Sequence, residues 1–254
     1  MPDIDRFDLT GKVAVITGGS RGIGKAIAAG FAGAGADIVI ASRKLDACEA
    51  TAEEISNATG RRVLPVATHV GTWGDCDRLV DTVHAEFGRC DVLVNNAGMS
   101  PLYADLASVT EAYFDKVTAV NLKGPFRLGA RFGTAMAEGD GGVIINVSTI
   151  GSLRPGRNEL VYACAKAGLN ALTIGLADAF GPKVRANGIL PGAVLTDITE
   201  HWSPEAKAAG SGNPMGRIGT PADFVGTALW LAADASAWVT GTLIRVDGGH
   251  YRQM

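Results

Sequence analysis

The sequence has few cysteines and few histidines, and neither kind clusters. Four of each are scattered through 254 residues, without the spacing of a disulfide framework or a zinc site. This distribution excludes a disulfide-stabilised secreted scaffold and a zinc-finger module as interpretations. We therefore expect no metal, and a reduced, cytoplasmic setting.

An excess of positive charge and long apolar runs are also lacking. The chain has 23 Lys and Arg against 26 Asp and Glu, so no overall attraction to nucleic acid or to an anionic membrane is expected. The opening stretch MPDIDRFDLTGK lacks the apolar core of a signal peptide. No run approaches the ~20 apolar residues of a membrane helix. We expect partners that are neither nucleic acid nor membrane.

What the sequence does contain is a series of short, nearly all-apolar runs rich in β-branched residues. Such runs fit strands that are covered on both faces. They lie at residues 12–17, 36–41, 61–67, 90–96, 141–148, 183–190 and 242–247. Helical periodicity fills the gaps, most clearly over 73–87 and after Thr220, where Pro221 suits the first helical position.

This alternation predicts an α/β fold: a Rossmann-like, doubly wound parallel sheet of about seven strands with helices on both faces. No break in composition marks a second domain, so residues 1–254 are expected to form a single domain. The irregular segment 192–219, rich in Gly, Ser and Pro, is expected to form a substrate lid over the carboxyl ends of the strands.

The first predicted strand runs directly into a glycine-rich turn, TGGSRGIG, at residues 17–24. Gly18, Gly22 and Gly24 allow a tight turn and a close approach of the backbone to a pyrophosphate at a helix N-terminus. A glycine triplet alone also occurs in packing turns. Its place between the first strand and the first helix favours a dinucleotide site.

The end of the second strand distinguishes NAD from NADP. A carboxylate there accepts hydrogen bonds from the ribose 2′-hydroxyl, whereas an arginine accommodates a 2′-phosphate. This strand ends in Ser42-Arg43-Lys44 without a carboxylate, and Arg21 lies in the glycine turn. The sequence therefore favours NADP(H) over NAD(H), with solvated loop cations as the alternative reading of Arg43 and Lys44.

Tyr162 and Lys166 are four residues apart, which places both side chains on one face of a helix. A neighbouring ammonium favours the phenolate, so we expect Lys166 to lower the pKa of Tyr162 from its usual value of about 10. Tyr162 would then act as general acid in reduction and as general base in oxidation. An exposed lysine one turn from a packed tyrosine is the alternative.

Six motifs follow one another over essentially the whole chain: TGGSRGIG (17–24), NNAG (95–98), NLKG (121–124), YACAK (162–166), PGAVLTD (191–197) and VTGTLIRVDGG (239–249). In this combination the sequence resembles the single-domain type of the short-chain dehydrogenase/reductase family. The resemblance implies one dinucleotide-binding and catalytic domain. It also implies hydride transfer between a nicotinamide cofactor and a carbonyl or alcohol carbon.

The resemblance implies catalytic roles as well. Tyr162 is the proton donor or acceptor, Lys166 binds the nicotinamide ribose, and Asn121 holds a water of a proton relay. The family usually has a serine 13 residues before the tyrosine that binds the substrate carbonyl, and that position here is Thr149. Neighbouring strand residues point to opposite faces, so Thr149 is favoured over Ser148, which stays possible if the strand bulges. Ser152 is a weaker candidate.

A set of cofactor contacts is implied in the same way. They are Gly18, Ser20, Arg21, Ile23, Ser42, Arg43, His69, Val70, Asn96, Tyr162, Lys166, Val194 and Thr196. His69 departs from the family, which commonly has an acidic residue at this position, so an ordinary loop histidine is an equally good interpretation. Candidate substrate contacts are Arg154, His201, Trp202 and Met215, and ordinary packing in a loop or lid is the alternative for each.

The sequence thus predicts an NADP(H)-dependent oxidoreductase, with NAD(H) less favoured, that acts on a small-molecule ketone or secondary alcohol. Substrates of 3-oxoacyl, sugar and steroid-like type all stay open. A non-catalytic NADP-binding sensor or scaffold is the alternative. A sugar-nucleotide epimerase is disfavoured because such relatives usually add a C-terminal substrate domain. By resemblance, we expect a homotetramer or homodimer.

Overall fold

The computed structural model describes residues 4–196 and 204–251. Within them, seven strands form one parallel sheet. The strands are β1 (Val13–Thr17), β2 (Asp37–Ser42), β3 (Val63–Ala67), β4 (Val92–Asn95), β5 (Gly142–Val147), β6 (Val184–Pro191) and β7 (Leu243–Val246). Their order is β3-β2-β1-β4-β5-β6-β7. Each strand lies within or beside one of the seven predicted apolar runs, so the predicted fold class is confirmed.

The α-helices in the described part of the chain connect the strands and cover both faces of the sheet. They are α1 (Gly22–Gly33), α2 (Leu45–Thr59), α3 (Trp73–Phe87), α4 (Glu111–Thr118), α5 (Gly124–Glu138), α6 (Leu160–Phe180), α7 (Pro204–Ser211) and α8 (Val225–Ala232). The bounds of α3 equal those of the predicted helix. It ends at Gly88, whose φ of 72° is a left-handed cap that glycine adopts without strain.

Apolar side chains pack on both faces of the sheet because neighbouring strand residues point in opposite directions. Ile16 of β1 faces the layer of α1, α2 and α8, whereas Val15 faces the layer of α3, α5 and α6. Phe31 in the first layer and Phe132 in the second are fully buried. Burying an aromatic side chain of this size contributes about 1.5–3 kcal/mol, so the two layers hold the sheet rigid beneath its loops.

Helix α6 is long and apolar enough to cross a membrane by length and composition alone, which the sequence did not indicate because Lys166 and Asp178 interrupt the run. In this fold α6 packs against β5, β6 and α5, and Lys166 is buried within the domain. The helix has the position and the packing of a core helix of an α/β domain.

The strand order reverses at β1, which pairs with β2 on one side and with β4 on the other. In open parallel sheets, ligands bind at the carboxyl ends of the strands beside such a reversal. The segment predicted as a lid follows β6 at this edge and contains α7 and the exposed Met215. His201 and Trp202 lie outside the described residues.

Candidate active site

The glycine turn after β1 has no room for a side chain at Gly18 or Gly24. Gly18 and Gly22 have φ values of 64° and 53°, a region that side chains other than glycine rarely adopt. A Cβ on Gly24 would lie 2.3 Å from the Gly18 carbonyl oxygen. The N-terminus of α1 follows this glycine-rich backbone directly and has no acidic residue in its first turn.

Gly24→Ala is expected to open this turn and to weaken dinucleotide binding at least tenfold, because the added methyl collides both with the Gly18 carbonyl and with the Asn96 amide that supports the turn. Overpacking of this kind costs about 1–3 kcal/mol of stability. Gly33→Ala in the same helix is the control, since nothing lies within 4 Å of its Cβ position. Fluorescence titration with NADPH and thermal unfolding of both variants test this. Equal binding by the two variants would contradict it.

The predicted cofactor residues around the turn are held by neighbouring elements. The side-chain amide of Asn96 donates to the carbonyl oxygens of Thr17 and Gly18 at 2.9 and 3.2 Å, so it also supports the turn itself. The carbonyl of Ser20 accepts a hydrogen bond from the Thr51 hydroxyl of α2 at 3.1 Å. Ile23 is partly buried against the core.

Residues from the far end of the chain reach the same turn. Val194 forms an isolated parallel bridge with Gly219, which directs the segment after β6 back over the sheet. The methyl carbon of Thr196 lies 3.5 Å from the Cβ position of Gly22. The fold thus brings Thr196 beside the glycine turn, as the dinucleotide interpretation requires.

The two residues directly after β2 are both basic. Ser42 is the last residue of the strand, and Arg43 and Lys44 after it are exposed. Arg21 is also exposed, directly before α1. No carboxylate follows the strand until Asp46, within α2, so the residue type that accepts hydrogen bonds from a ribose 2′-hydroxyl is missing at the strand end.

His69 and Val70 follow β3. The His69 ring nitrogen Nδ1 accepts a hydrogen bond from the Gly71 N–H at 3.1 Å, and the His69 N–H donates to Asp75 at 3.2 Å. The imidazole is thus used to shape its own loop, which is the geometry expected of an ordinary loop histidine. Val70 is 7% exposed, and its carbonyl accepts from Cys76 in α3.

Tyr162, near the start of α6, meets Thr149 just beyond the end of β5. The Thr149 hydroxyl lies close enough to the Tyr162 phenol to lower the pKa of that phenol, and its oxygen accepts a hydrogen bond from the Gly151 N–H at 3.1 Å. Thr149 continues the extended backbone of the strand, with φ −165° and ψ 153°. Ser148 is buried, and its hydroxyl donates to the Lys166 carbonyl at 3.2 Å. The alternation along the strand therefore separates the two hydroxyls.

Lys166 is 2% exposed. Its Nζ donates to the Val147 carbonyl at 2.7 Å and lies 5.8 Å from the centre of the Tyr162 ring. Burial lowers the pKa of the Lys166 ammonium from 10.5 to about 7, since the charged form is the one that loses hydration. The site thus contains a lysine whose charge changes near neutral pH.

Asn121 lies in a π-helical turn, Ala119–Lys123, between α4 and α5. Such turns are rare and occur often at functional sites. Its side-chain nitrogen donates to the carbonyls of Met99 and Val117 at 2.8 and 2.9 Å. A Cβ on Gly98 would lie 3.1 Å from Asn121 Oδ1 and 3.6 Å from Lys166 Nζ. The bare glycine therefore leaves space in front of both groups.

The expectation that Lys166 lowers the pKa of Tyr162 is wrong for this structure. Burial and the negative charge of Glu159 raise the pKa of Tyr162 above its usual value, and the hydrogen bond from Thr149 offsets this only in part. The physical reason is that the phenolate loses hydration on burial, while Lys166 is itself only partly charged near neutral pH. Tyr162 is therefore protonated throughout the ordinary pH range.

The sequence analysis missed two residues of this site. Glu159 lies one helical turn before Tyr162, and spacing alone could have identified it. Tyr103 could not have been identified, because it comes from the loop after β4. Its hydroxyl accepts from the Leu160 N–H at 2.8 Å and donates to the Arg157 carbonyl at 3.0 Å. It ties the start of α6 to the loop that precedes it, in which Arg154 is exposed.

Comparison with known proteins assigns the family. A sequence profile described as enoyl-(acyl carrier protein) reductase matches residues 18–251. The short chain dehydrogenase/reductase astE of Aspergillus oryzae is 36% identical over 251 residues, which cover 96% of each chain. The chain belongs to the short-chain dehydrogenase/reductase family. The resemblance carried by the six motifs is confirmed.

Solved structures of this family share the whole fold. A 7α-hydroxysteroid dehydrogenase complexed with NADH and 7-oxo glycochenodeoxycholic acid has a TM-score of 0.94 at 32% identity, covering 100% of this chain and 99% of that one. The L-sorbose reductase of Gluconobacter frateurii, complexed with NADPH and L-sorbose, has a TM-score of 0.90 at 30% identity, covering 98% and 100%. This short-chain dehydrogenase/reductase is a nicotinamide-dependent oxidoreductase acting on CH–OH or C=O groups. The two relatives hold different cofactors and different substrates.

The residues of this short-chain dehydrogenase/reductase fit a nicotinamide dinucleotide. The N-terminus of α1 offers backbone N–H groups without a nearby acidic residue in its first turn, an arrangement that favours phosphate. The space that a Cβ on Gly98 would fill lies directly before the Lys166 ammonium, a suitable donor for ribose hydroxyls. Among the described residues, no group of His, Cys, Asp and Glu could hold a metal ion.

Proposed function

We propose that this protein is an NADP(H)-preferring reductase of ketones, or dehydrogenase of secondary alcohols, with Tyr162 as general acid and base. The observation that supports this best is the meeting of three groups: Thr149 lies beside the Tyr162 phenol, and the buried Lys166 Nζ lies 5.8 Å from the centre of the Tyr162 ring. Two hydroxyls that meet at one point provide two donors to a single carbonyl oxygen. Such an arrangement favours the alkoxide-like transition state of hydride transfer.

Each of the four proposed catalytic residues has a separate task in this proposal. The nicotinamide ring, when bound, supplies or accepts the hydride. Thr149 donates a hydrogen bond to the substrate oxygen, and Tyr162 gives its phenolic proton to that oxygen in reduction. The reverse oxidation requires the phenolate form of Tyr162, which the raised pKa disfavours. Lys166 binds the ribose hydroxyls, and Asn121 fixes the loop that carries Gly98. The raised pKa of Tyr162 keeps the proton in place until the substrate oxygen becomes basic.

Preference for NADP(H) is supported by the basic residues at the end of β2. Arg43→Ala is expected to weaken NADPH binding about tenfold and to leave NADH binding unchanged, because a charge-assisted hydrogen bond to phosphate contributes about 1.5–3 kcal/mol. Lys183→Ala removes an exposed cation at the amino end of β6 and should change the binding of neither cofactor. Fluorescence titration with both cofactors measures the effect. Equal losses for NADPH and NADH would contradict the assignment.

The experiment that tests the function as a whole is a titration with NADPH and NADH, followed by turnover of a panel of ketones. The panel contains 3-oxoacyl thioesters, ketoses and ketosteroids, since all three classes were left open by the sequence. Tight NADPH binding together with turnover of at least one class is the expected result. Cofactor binding without turnover of any of them would favour a non-catalytic sensor or scaffold.

We further infer that the protein works in the cytoplasm as a homotetramer or homodimer. The inference is supported by its four free cysteines, by the resemblance of the sequence to the family, and by exposed apolar side chains on neighbouring helices such as Phe114 and Phe126. Light scattering of the purified protein gives the assembly mass, and a monomer mass would remove the oligomer from the proposal.

A further inference from the structure

Two polar side chains outside the proposed catalytic set lie behind Thr149. Asn170 is one helical turn after Lys166 on α6, and Ser152 ends the short turn that Thr149 begins. Asn170 Nδ2 donates to Ser152 Oγ at 2.8 Å, and the Ser152 hydroxyl donates to the Thr149 carbonyl at 2.6 Å. The two hydrogen bonds connect the helix that carries Tyr162 to the backbone of Thr149.

The direction of these hydrogen bonds matters. Since the Asn170 amide donates to Ser152 Oγ, the Ser152 hydroxyl proton is left for the Thr149 carbonyl. The same carbonyl accepts the Ser152 backbone N–H at 3.2 Å. Asn170 is 7% exposed and belongs to the interior of the domain, so this anchor does not exchange readily with water. The peptide plane of Thr149 is therefore held by two donors of one residue, which is itself held by α6.

A fixed peptide plane also fixes the Thr149 side chain, because a β-branched residue has few χ1 choices at a given backbone conformation. The Gly151 N–H already donates to Thr149 Oγ1 at 3.1 Å. The hydroxyl proton is therefore directed away from Gly151, which leaves it for the neighbouring Tyr162 phenol or for a substrate oxygen. A small rotation of the Thr149 backbone would turn the hydroxyl away from the point where a substrate oxygen meets Tyr162.

We propose that Asn170 and Ser152 are positioning residues that orient the Thr149 hydroxyl toward the substrate oxygen. This proposal rests on the proposed function, since it requires Thr149 and Tyr162 to act on a carbonyl. Tyr162, Lys166 and Asn170 follow one another at steps of four residues, on one face of α6. A single rigid helix thus carries the proton donor, the buried ammonium and the anchor of the second hydroxyl.

The test compares Ser152→Ala, Ser152→Thr and Asn170→Leu. Ser152→Ala and Asn170→Leu are expected to lower kcat about tenfold with an unchanged KM for NADPH, since misplacement by about 1 Å can cost up to 10²-fold. Ser152→Thr keeps the hydroxyl and should retain most of the turnover. Thr173→Val is the control on the same helix. Thr173 is fully buried, and its hydroxyl donates to the Leu169 carbonyl at 2.8 Å, so its loss should reduce stability but not turnover.

A double-mutant cycle separates positioning from a general loss of structure. In a Thr149→Val background, Asn170→Leu should cause no further loss of turnover, because the group on which it acts is gone. The proposal would be overturned if the kcat losses of Thr149→Val and Asn170→Leu multiplied in the double variant. Equal kcat losses for Thr173→Val and Asn170→Leu would also overturn it.

Failure of the proposed function gives a different result. The wild-type enzyme would then turn over no ketone, or Tyr162→Phe and Thr149→Val would leave turnover intact. A crystal structure of Asn170→Leu decides the positioning role in that case too. A Thr149 hydroxyl turned away from Tyr162 supports the role, and an unchanged Thr149 side chain overturns it.

Discussion

Tyr162→Phe should reduce kcat by about 10³-fold, within the range of 10²–10⁴ that a positioned general acid contributes. Phenylalanine keeps the aromatic ring and removes only the phenolic hydroxyl. NADPH affinity should therefore change by less than about threefold, since the lost group acts on the reacting oxygen. The measurements are steady-state kinetics with a ketone from the panel and a parallel NADPH titration.

Tyr251→Phe is the matched control for this variant. It removes a phenolic hydroxyl beyond β7, on a ring that stacks with the Arg245 guanidinium 5.3 Å away, and should leave kcat unchanged. The acid–base role of Tyr162 would be excluded by a Tyr162→Phe enzyme with wild-type kcat. A fall in NADPH affinity as large as the fall in kcat would assign Tyr162 to binding.

Lys166→Met should have opposite effects on stability and on activity. In the free protein the burial of Lys166 lowers its pKa from 10.5 to about 7. Below pH 7 the folded state therefore holds a charge that the unfolded state solvates better, at a cost of about 1.4 kcal/mol per unit of pKa shift. Methionine removes this cost, although it also loses the hydrogen bond to Val147. We expect a rise in Tm of several degrees at pH 7, together with loss of turnover.

The pH dependence gives this prediction a second measurement. Between pH 7 and 10.5 the unfolded chain binds more protons than the folded one at Lys166, so Lys166 makes the unfolding free energy rise with pH. The rise is to be measured below about pH 8.5, because the buried Cys76 and Cys90, whose pKa values are raised in the folded state, contribute with the opposite sign at higher pH. The rise should be absent in Lys166→Met and present in a control with the exposed Lys183 changed to Met. A lower Tm for Lys166→Met at pH 7 would show that the Lys166 contacts outweigh the burial of its charge.

Much of the fold could be predicted from the sequence because parallel strands covered on both faces are continuous apolar runs. The bounds of α3 were also predicted as observed, because the apolar positions of one helix face recur over residues 73–87 and end at Phe87. The period of a strand also favoured Thr149 over Ser148, and the structure separates the two in that way. These features depend on neighbours in sequence, so local patterns contain them.

The remaining features of the site depend on contacts between distant segments. Burial determines the direction of the Tyr162 pKa shift, and the burial of one side chain cannot be seen in a motif. The π-helical turn at Asn121 forms between α4 and α5, and the local sequence pattern does not distinguish it from an ordinary α-helix. Tyr103 acts through the N-terminus of α6, far along the chain. Asn170 is the exception, since it continues the four-residue spacing of Tyr162 and Lys166.

The central place of β1 in the sheet also determines when the ligand site can come into existence during folding. β2 follows β1 directly in the chain apart from α1, whereas β4, in which Val92 pairs with Ala14, comes only after β3 and α3. Until then the other edge of β1 has unpaired N–H and C=O groups, which expose a partly made chain to aggregation. The crevice for the dinucleotide lies at this reversal of the strand order, so it does not exist before β1 and β4 have paired. The ligand therefore gives no help to nucleation, and it stabilises only the completed sheet.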